Sequence, residues 1–278
     1  MSIFDEPKID CHIHVLDPAR FPYAADTSYR PTGQELATAD QFFQVLDAYG
    51  VAYALLVGTN SGYGTDNRCL LDTLRRGEGR LKGMAVVPND ISVAELRELK
   101  TAGVVGTTLN ATFYDDEHYL GDQDLIKNLT DLDLFLQIQA KGDQFVRLLP
   151  LVEQSPRVII DHCGLPDPDA GLDQPGFRAV LALGRSGRAI IKLSGYAKFS
   201  REPYPYTDAW PYVRALVAAF SLDRCLWASD WPFLRAPERL DYGPLLKLAE
   251  ELFPDMSERA KLLWHTPKRV FGFQRAGF

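Results

Sequence analysis

The chain has 278 residues, of which 46% are hydrophobic and 24% are charged, and its formal net charge is -7. This composition is ordinary for a globular protein, and the length suffices for one α/β barrel, which needs about 250 residues. The mildly acidic balance, without a Lys/Arg-rich run, argues against a nucleic-acid partner, and no run of about 18 apolar residues predicts a membrane span. With no basic-then-apolar leader and no CxxC pair, we expect reduced cysteines in a cytoplasmic protein.

Short apolar runs typical of strands recur along the chain, separated by segments of helical periodicity. In chain order the runs are IDCHIH (9–14), YALLVG (53–58), KGMAVV (82–87), VGTTLN (105–110), LFLQIQ (134–139), VIIDHC (158–163), IIKLSG (190–195) and CLWASD (225–230). The helical segments include ATADQFFQVLDAYG (37–50), NRCLLDTLRRGEG (67–79), SVAELRELKTAG (92–103), DQFVRLLPLVEQS (143–155) and WPYVRALVAAF (210–220). Eight such units predict an α/β fold, a (β/α)8 TIM barrel forming one domain over residues 1–278. An open doubly wound sheet is the alternative, but no glycine-rich phosphate loop follows the first run.

The first, sixth and eighth runs end in residues with catalytic chemistry. Active sites of such barrels lie at the carboxyl ends of the strands. His12 and His14 are two residues apart, so their side chains should point to the same side of the strand. The sixth run ends in Asp161-His162-Cys163, and Asp230 ends the eighth. One histidine in a strand is commonly a hydrogen-bonded core residue, but this set predicts one cavity holding all four side chains.

The remaining histidines and two of the cysteines are interpreted without a functional role. His118 lies in the polar segment YDDEHYLGD and is expected on the surface. His265 precedes Thr266-Pro267 at a helix end and is expected to pack or to cap. Cys11 and Cys163 alternate with the histidines, so we expect both to face outward as small apolar residues.

The motifs together resemble a known family. They are His12-Ile13-His14, GYGTDNRCLLDTL (62–74), VIIDHCGLPD (158–167), IIKLSG (190–195), LWASDWP (226–232) and TPKRVFGF (266–273). The chain resembles the amidohydrolase superfamily, in its amidohydrolase-2 branch, and is similar there to the group of 2-pyrone-4,6-dicarboxylate lactonase and sugar-acid lactonases. This resemblance implies a hydrolase, a lactonase-like carboxylic ester hydrolase acting on a sugar-acid, muconolactone-type or pyrone carboxylate lactone.

The resemblance also frames the question of a metal. Many amidohydrolases hold one or two divalent ions through the HxH pair, a Lys or Glu on strand four, His on strands five and six, and Asp on strand eight. This chain offers Thr108 and Asn110 on strand four and Gln137 and Gln139 on strand five, which are not usual zinc ligands. We therefore expect no required cofactor. The alternative is a single divalent metal, zinc, bound by His12, His14, His162 and Asp230.

The catalytic roles follow from what ester hydrolysis needs. We predict that Asp230 is the general base for water, worth roughly 10² to 10⁴ in rate. His12, His14 and His162 complete the catalytic set, with His14 and His162 as candidate hydrogen-bond donors to the carbonyl oxygen. The candidate substrate-binding residues follow the strands around the rim: Tyr63, Thr65, Asn67, Asn110, Gln139, Lys192, Tyr196 and Arg235, with Lys198 and Arg201 nearby.

The cations at the rim suit a carboxylate, although solvated lysines explain them nearly as well. VVGTTLNATF (104–113) lacks an arginine, which argues against the pyrone dicarboxylate itself, and the neutral polar set suits the hydroxyl groups of a sugar lactone or a smaller monoacid lactone. Two other functions stay open: a metal-dependent decarboxylase or deacylase on the same scaffold, and a non-catalytic binding protein. The expected partner is a small-molecule lactone, with no nucleic acid and no membrane, and a homo-oligomer is allowed.

Overall fold

A computed structural model describes residues 2–114, 117–120, 123–155 and 157–274. Eight parallel strands lie in sequence order around one sheet. They are β1 (Lys8–Ile13), β2 (Val51–Val57), β3 (Leu81–Ala85), β4 (Val104–Asn110), β5 (Phe135–Gln139), β6 (Val158–Ile160), β7 (Ala189–Leu193) and β8 (Cys225–Trp227). The eight predicted runs are therefore confirmed as the strands of a (β/α)8 barrel, because each pairs with its neighbours in parallel register.

Helices surround the strands. In the described ranges they are α1 (Ala39–Ala48), α2 (Arg68–Arg76), α3 (Val93–Thr101), α4 (Glu117–Leu120), α5 (Gln123–Asp131), α6 (Gln144–Gln154), α7 (Pro175–Ser186), α8 (Trp210–Phe220), α9 (Tyr242–Leu252), α10 (Met256–Ala260) and α11 (Thr266–Phe271). Each predicted helical segment contains one of them; α3, for example, begins after a capping box between Ser92 and Glu95. Among the described residues, no helix combines the length and the apolar character required to cross a bilayer.

Two strands end three residues earlier than predicted, and both differences place catalytic candidates on loops. β6 ends at Ile160, because His162, Cys163, Gly164 and Leu165 all take positive φ angles and turn the chain out of the sheet. β8 ends at Trp227, three residues before Asp230, whose φ is 64°. A left-handed conformation costs a residue with a side chain roughly 1–2 kcal/mol. The surrounding structure therefore has to hold both turns at the mouth of the barrel.

The barrel closes between β1 and the segment that follows β8. The amide of Asp230 donates to the carbonyl of His12 at 2.9 Å, and the amide of His14 donates to the carbonyl of Trp231 at 2.8 Å. Below them, the carboxylate of Asp10 accepts from the amide of Ser229 at 3.0 Å. These bonds fix Asp230 beside His12 in β1 and His14, which follows β1.

An irregularity in β1 overturns the expectation for Cys11. Asp10 pairs with Ala54 while Ile13 pairs with Leu56, so β1 carries one extra residue over this stretch, as in a β-bulge. Cys11 consequently lies in the apolar cluster inside the barrel, which combines side chains of six strands with the C-terminal segment. The prediction that it faces outward is wrong, because the bulge breaks strict alternation. Cys163 does lie in the outer layer, between strands and helices.

Candidate active site

The carboxylate of Asp230 lies at the centre of the three predicted histidines. Its Oδ1 atom is 3.7 Å from His12 Nε2, 3.5 Å from His14 Nε2 and 3.6 Å from His162 Nε2. The same oxygen has no hydrogen-bond partner in the part of the chain that the structure describes, although the side chain is almost completely buried. The structure thus brings the four residues together and presents one carboxylate oxygen to them.

His14 and His162 are each oriented by a contact of Nδ1 with a different neighbour. His14 Nδ1 lies 2.8 Å from the carbonyl oxygen of Val57. A carbonyl only accepts hydrogen bonds, so Nδ1 of His14 carries a proton, and the Nε2 of neutral His14 carries a lone pair. His162 Nδ1 lies 3.0 Å from Ser194 Oγ. Gly195 follows with a φ of 67°, and a Cβ atom there would lie 2.7 Å from Cβ of His162, which explains the glycine that ends the seventh run.

The cluster favours an ionised Asp230 beside neutral His12 and His162. Burial alone would raise the pKa of Asp230, but Lys198, whose Nζ is 2.7 Å from Oδ2, and the histidines hold that pKa well below its ordinary value. Burial lowers the pKa of His162 to about 4. Burial and then Lys192 lower the pKa of His12 well below its ordinary value. At neutral pH the site therefore contains a carboxylate able to take a proton.

Lys192 does not reach the rim. It is completely buried, and its Nζ lies 3.0 Å from Asp161 Oδ1 and 2.6 Å from Gln137 Oε1. Gln137 Nε2 in turn donates to Asp161 Oδ2 at 2.8 Å. Burial would raise the pKa of Asp161, but Lys192 and His12 hold it well below its ordinary value. The predicted contact of Lys192 with a substrate carboxylate is wrong, because this lysine neutralises a buried carboxylate under the histidines.

A cavity of about 350 Å³ opens above the histidines. Three predicted substrate-binding residues, Asn110, Gln139 and Arg235, line it. The cavity wall also contains residues to which the sequence analysis gave no role: Thr59, Asn60, Ser61, Thr108, Thr112, Lys141 and Asp161. Lys198, noted only as a cation beyond the seventh strand, lines it as well. A cavity of this size suits one small molecule.

Four other predicted substrate-binding residues do not line this cavity. Tyr63 is buried and its hydroxyl accepts from the amide of Asp17 at 2.9 Å. Asn67 bonds through its side chain to the backbone of Val86 before α2. Tyr196 is buried, with its hydroxyl donating to the carbonyl of Leu193. These three side chains stabilise loops, and Thr65 is exposed beside them.

His118, His265 and Arg201 all lie on the surface, away from the cavity. His118 is exposed, as predicted, and its ring stacks on that of Tyr114 with the centroids 4.8 Å apart. His265 is exposed and makes no side-chain cap at the start of α11, so the packing or capping prediction is wrong. Arg201 pairs with Asp167 and Asp169 on the surface rather than with the cavity.

The donor set at the centre of the site fits one divalent cation. Ligand atoms of His12, His162 and Asp230 lie within 4.8 Å of one another, and His14 Nε2 lies 3.5 Å from Asp230 Oδ1. Zinc bonds of about 2.0–2.2 Å would place neighbouring ligand atoms roughly 3.3–3.6 Å apart. Among the described residues, neither His162 Nε2 nor Asp230 Oδ1 has a hydrogen-bond partner, and both atoms are buried. In the described part of β4 and β5, Thr108 and Gln139 line the cavity and Gln137 is buried beside Lys192, and none of the three is a usual zinc ligand for a second ion.

Comparisons with known proteins agree with this geometry. The family model described as Amidohydrolase matches residues 9–273. A 4-sulfomuconolactone hydrolase of Rhizobium radiobacter is 32% identical over 275 residues, 95% of this chain and 89% of that protein. A 2-pyrone-4,6-dicarboxylate hydrolase of Comamonas testosteroni is 27% identical over 95% of this chain and 89% of its own. A crystal structure of a probable 2-pyrone-4,6-dicarboxylic acid hydrolase from Acinetobacter baumannii with bound citric acid superposes with a TM-score of 0.87 at 28% identity, covering 96% of this chain and 100% of that one. The resemblance seen in the sequence is therefore confirmed, and the chain belongs to the amidohydrolase family.

Proposed function

We propose that this protein hydrolyses the ester bond of a lactone. The observation that carries the proposal is Asp230 Oδ1, an unpartnered carboxylate oxygen ringed by three imidazole nitrogens beneath a cavity of about 350 Å³. The relatives named above act on a sulfomuconolactone and a pyrone dicarboxylate, both cyclic esters, which supports the same reaction class.

The reaction needs a base for water and a donor for the carbonyl oxygen. A water molecule can donate one hydrogen to Asp230 Oδ1 and the other to the bare Nε2 of His14, which orients its oxygen toward the carbonyl carbon. Asp230 takes the proton as the C–O bond to water forms. The ring C–O bond then breaks, and the leaving alkoxide recovers a proton from the site, giving a hydroxy acid. Neutral His14 cannot donate through Nε2, so we assign the carbonyl contact to His162 rather than to His14.

His162 can donate when its other nitrogen accepts. Ser194 Oγ, 3.0 Å from Nδ1, can give its proton to that nitrogen and leave Nε2–H for the substrate. A divalent cation held by His12, His14, His162 and Asp230 would instead supply Lewis-acid polarisation and a more acidic water. The protein groups alone provide both functions, so we propose that no metal is required.

The cavity wall favours a lactone that carries an anionic group. Lys198, Lys141 and Arg235 line it and are all cationic. The cavity also has neutral polar lining: Asn110 Oδ1 accepts from Thr112 Oγ1 at 2.6 Å, and Gln139 donates to the same hydroxyl at 3.1 Å. The cations suit a carboxylate or sulfonate, and the neutral groups suit ring oxygens and hydroxyls.

The test of the function is a hydrolysis screen over muconolactone-type, sugar-acid and pyrone lactones. We expect turnover of at least one monoanionic lactone, followed by release of acid. Failure of every lactone, together with metal-dependent release of CO₂ from a hydroxybenzoate panel, would assign the protein to the decarboxylase alternative instead.

Chelation is expected to leave this lactonase activity within about two-fold. The reason is that Asp230 is ionised and His162 can donate without a cation. The measurement is the hydrolysis rate after prolonged dialysis against a chelator, with the metal content of the same sample determined by elemental analysis. Loss of activity together with stoichiometric zinc, and recovery of both on adding zinc, would contradict the expectation.

Arg235→Met is expected to raise KM for an anionic lactone roughly ten-fold, since a hydrogen bond to a charged group contributes about 1.5–3 kcal/mol. The KM of a neutral lactone of similar size should change little. Arg239→Met is the matched control, because Arg239 is exposed and pairs with Asp241 away from this cavity. Equal effects of the two variants would argue against an anion contact at Arg235.

A further inference from the structure

Lys192 is a buried cation that touches an imidazole of the site. From β7 its ammonium group reaches three acceptors: Gln137 Oε1 at 2.6 Å, Asp161 Oδ1 at 3.0 Å and His12 Nδ1 at 3.1 Å. An ammonium group has three N–H donors and no acceptor, so these three contacts can satisfy it completely. The lysine has no exposed surface, so solvent does not compete for these three contacts.

The contact with Nδ1 fixes where the proton of His12 lies. A nitrogen that accepts from an ammonium group carries no proton of its own, so neutral His12 holds its proton on Nε2. Asp161 Oδ1, 3.4 Å from the same Nδ1, would stabilise the opposite tautomer, in which Nδ1 donates and Nε2 is bare. The shorter contact is the one with Lys192, which favours the form protonated on Nε2.

We propose that Lys192 is a positioning residue that holds His12 as an Nε2–H donor and thereby weakens the affinity of the four-residue cluster for a divalent cation. A metal binds the lone pair of an imidazole nitrogen, so the Nε2–H form of His12 cannot serve as a ligand. His14 differs, because its Nδ1 donates to Val57 and its Nε2 is bare. The cluster has four residues of metal-binding type, but Nε2 of His12 carries a proton and donates a hydrogen bond instead of binding a metal.

This inference goes beyond ester hydrolysis and does not depend on the identity of the lactone. It explains how a histidine–aspartate cluster can sit above a barrel without needing zinc. It also predicts that the preference for metal can be changed from beneath the site, without altering His12, His14, His162 or Asp230.

The first test uses the unmodified protein labelled with ¹⁵N-histidine. Long-range ¹H–¹⁵N correlation spectra distinguish a protonated from a bare ring nitrogen, and loss of signals in His12→Gln assigns the His12 ring. We expect a bare Nδ1 and a protonated Nε2 on His12, and the reverse pattern on neutral His14. A His12 ring protonated on Nδ1 would overturn the proposal.

The second test measures zinc affinity by competition with a chromophoric chelator. Lys192→Met alone leaves Asp161 buried without its cation and can fail to fold, so the variant of choice is the double Lys192→Met/Asp161→Asn, which leaves the net charge unchanged. The new amide oxygen can accept from Nδ1–H of His12, and Nε2 becomes a ligand. We expect the Kd for zinc to fall at least ten-fold and the His12 tautomer to change.

Lys198→Met is the matched control for charge. It removes a cation 2.7 Å from Asp230 without touching His12 Nδ1. We expect it to leave the His12 tautomer as in the unmodified protein, whatever it does to zinc affinity through charge alone. A folded double variant with unchanged zinc affinity would contradict the proposal. Both readouts are independent of turnover, so they can fail while the lactonase function holds, and the reverse.

Discussion

Asp230→Asn is expected to lower kcat for lactone hydrolysis by at least about 10², the scale of a lost general base. The amide keeps the shape of the carboxylate but cannot take a proton from water. The backbone bond from residue 230 to the carbonyl of His12 does not involve the side chain and should persist. Lys198, one quarter exposed, can be solvated once its ion pair with Asp230 is gone. We therefore expect folding and KM to be largely retained.

The competing explanation for Asp230 is purely structural, with the carboxylate anchoring the closure between β1 and the segment after β8. In that case Asp230→Asn should lower the midpoint of thermal unfolding and leave kcat within a few-fold. Measuring both quantities on one preparation separates the two roles. Asp66→Asn is the control, because Asp66 pairs with Arg68 outside the active-site cavity.

The second large effect is expected for His162→Gln, which should lower kcat roughly 10² to 10³-fold, as loss of a donor to a developing oxyanion does. KM should change much less, because the donor contributes most when negative charge builds on the carbonyl oxygen. Kinetics over a range of substrate concentrations provide both constants. His265→Gln is the control, since that histidine is exposed at the start of α11. A rise in KM with kcat unchanged would show instead that His162 contributes only to substrate binding.

His14→Gln serves to distinguish the two histidines that the sequence treated alike. A glutamine amide can donate as well as accept, so the variant could still contact a carbonyl oxygen but would hold the water less well. We expect kcat to fall less in His14→Gln than in His162→Gln. If His14 donated to the carbonyl and His162 did not, kcat would fall more in His14→Gln. The hydrogen bond from His14 to Val57 is the observation that decides our assignment.

The barrel and the candidate catalytic cluster are both predictable from the amino-acid sequence. Both depend on short-range spacing: eight apolar runs separated by helical segments, and chemistry-bearing residues at the carboxyl ends of the first, sixth and eighth. Parallel strands of a closed barrel bring those ends to one mouth, so His12, His14, His162 and Asp230 had to meet if the fold was right. The absence of ligands on strands four and five was also visible in the sequence.

Which polar residues face the cavity depends on contacts that form only in the folded barrel. Lys192 and Lys198 are six positions apart and equally cationic, yet Lys192 lies within β7 above a buried carboxylate, while Lys198 lies past the turn at the mouth. Nothing in the local sequence shows that Lys192 contacts Asp161 and Gln137 in the folded protein. Tyr63 and Asn67 turned inward to bond loop backbone for the same reason: a polar side chain takes the partner that the fold provides.

The orientation of Cys11 and the protonation of the histidines were likewise beyond the sequence. Cys11 faces the interior because one extra residue in β1 breaks the alternation of side chains. The tautomers of His14 and His12 depend on Val57 and Lys192, which are 43 and 180 residues away along the chain. Spacing along a strand determines where an imidazole points, but only the partners that folding brings to its second nitrogen determine whether it can donate, accept or bind a metal.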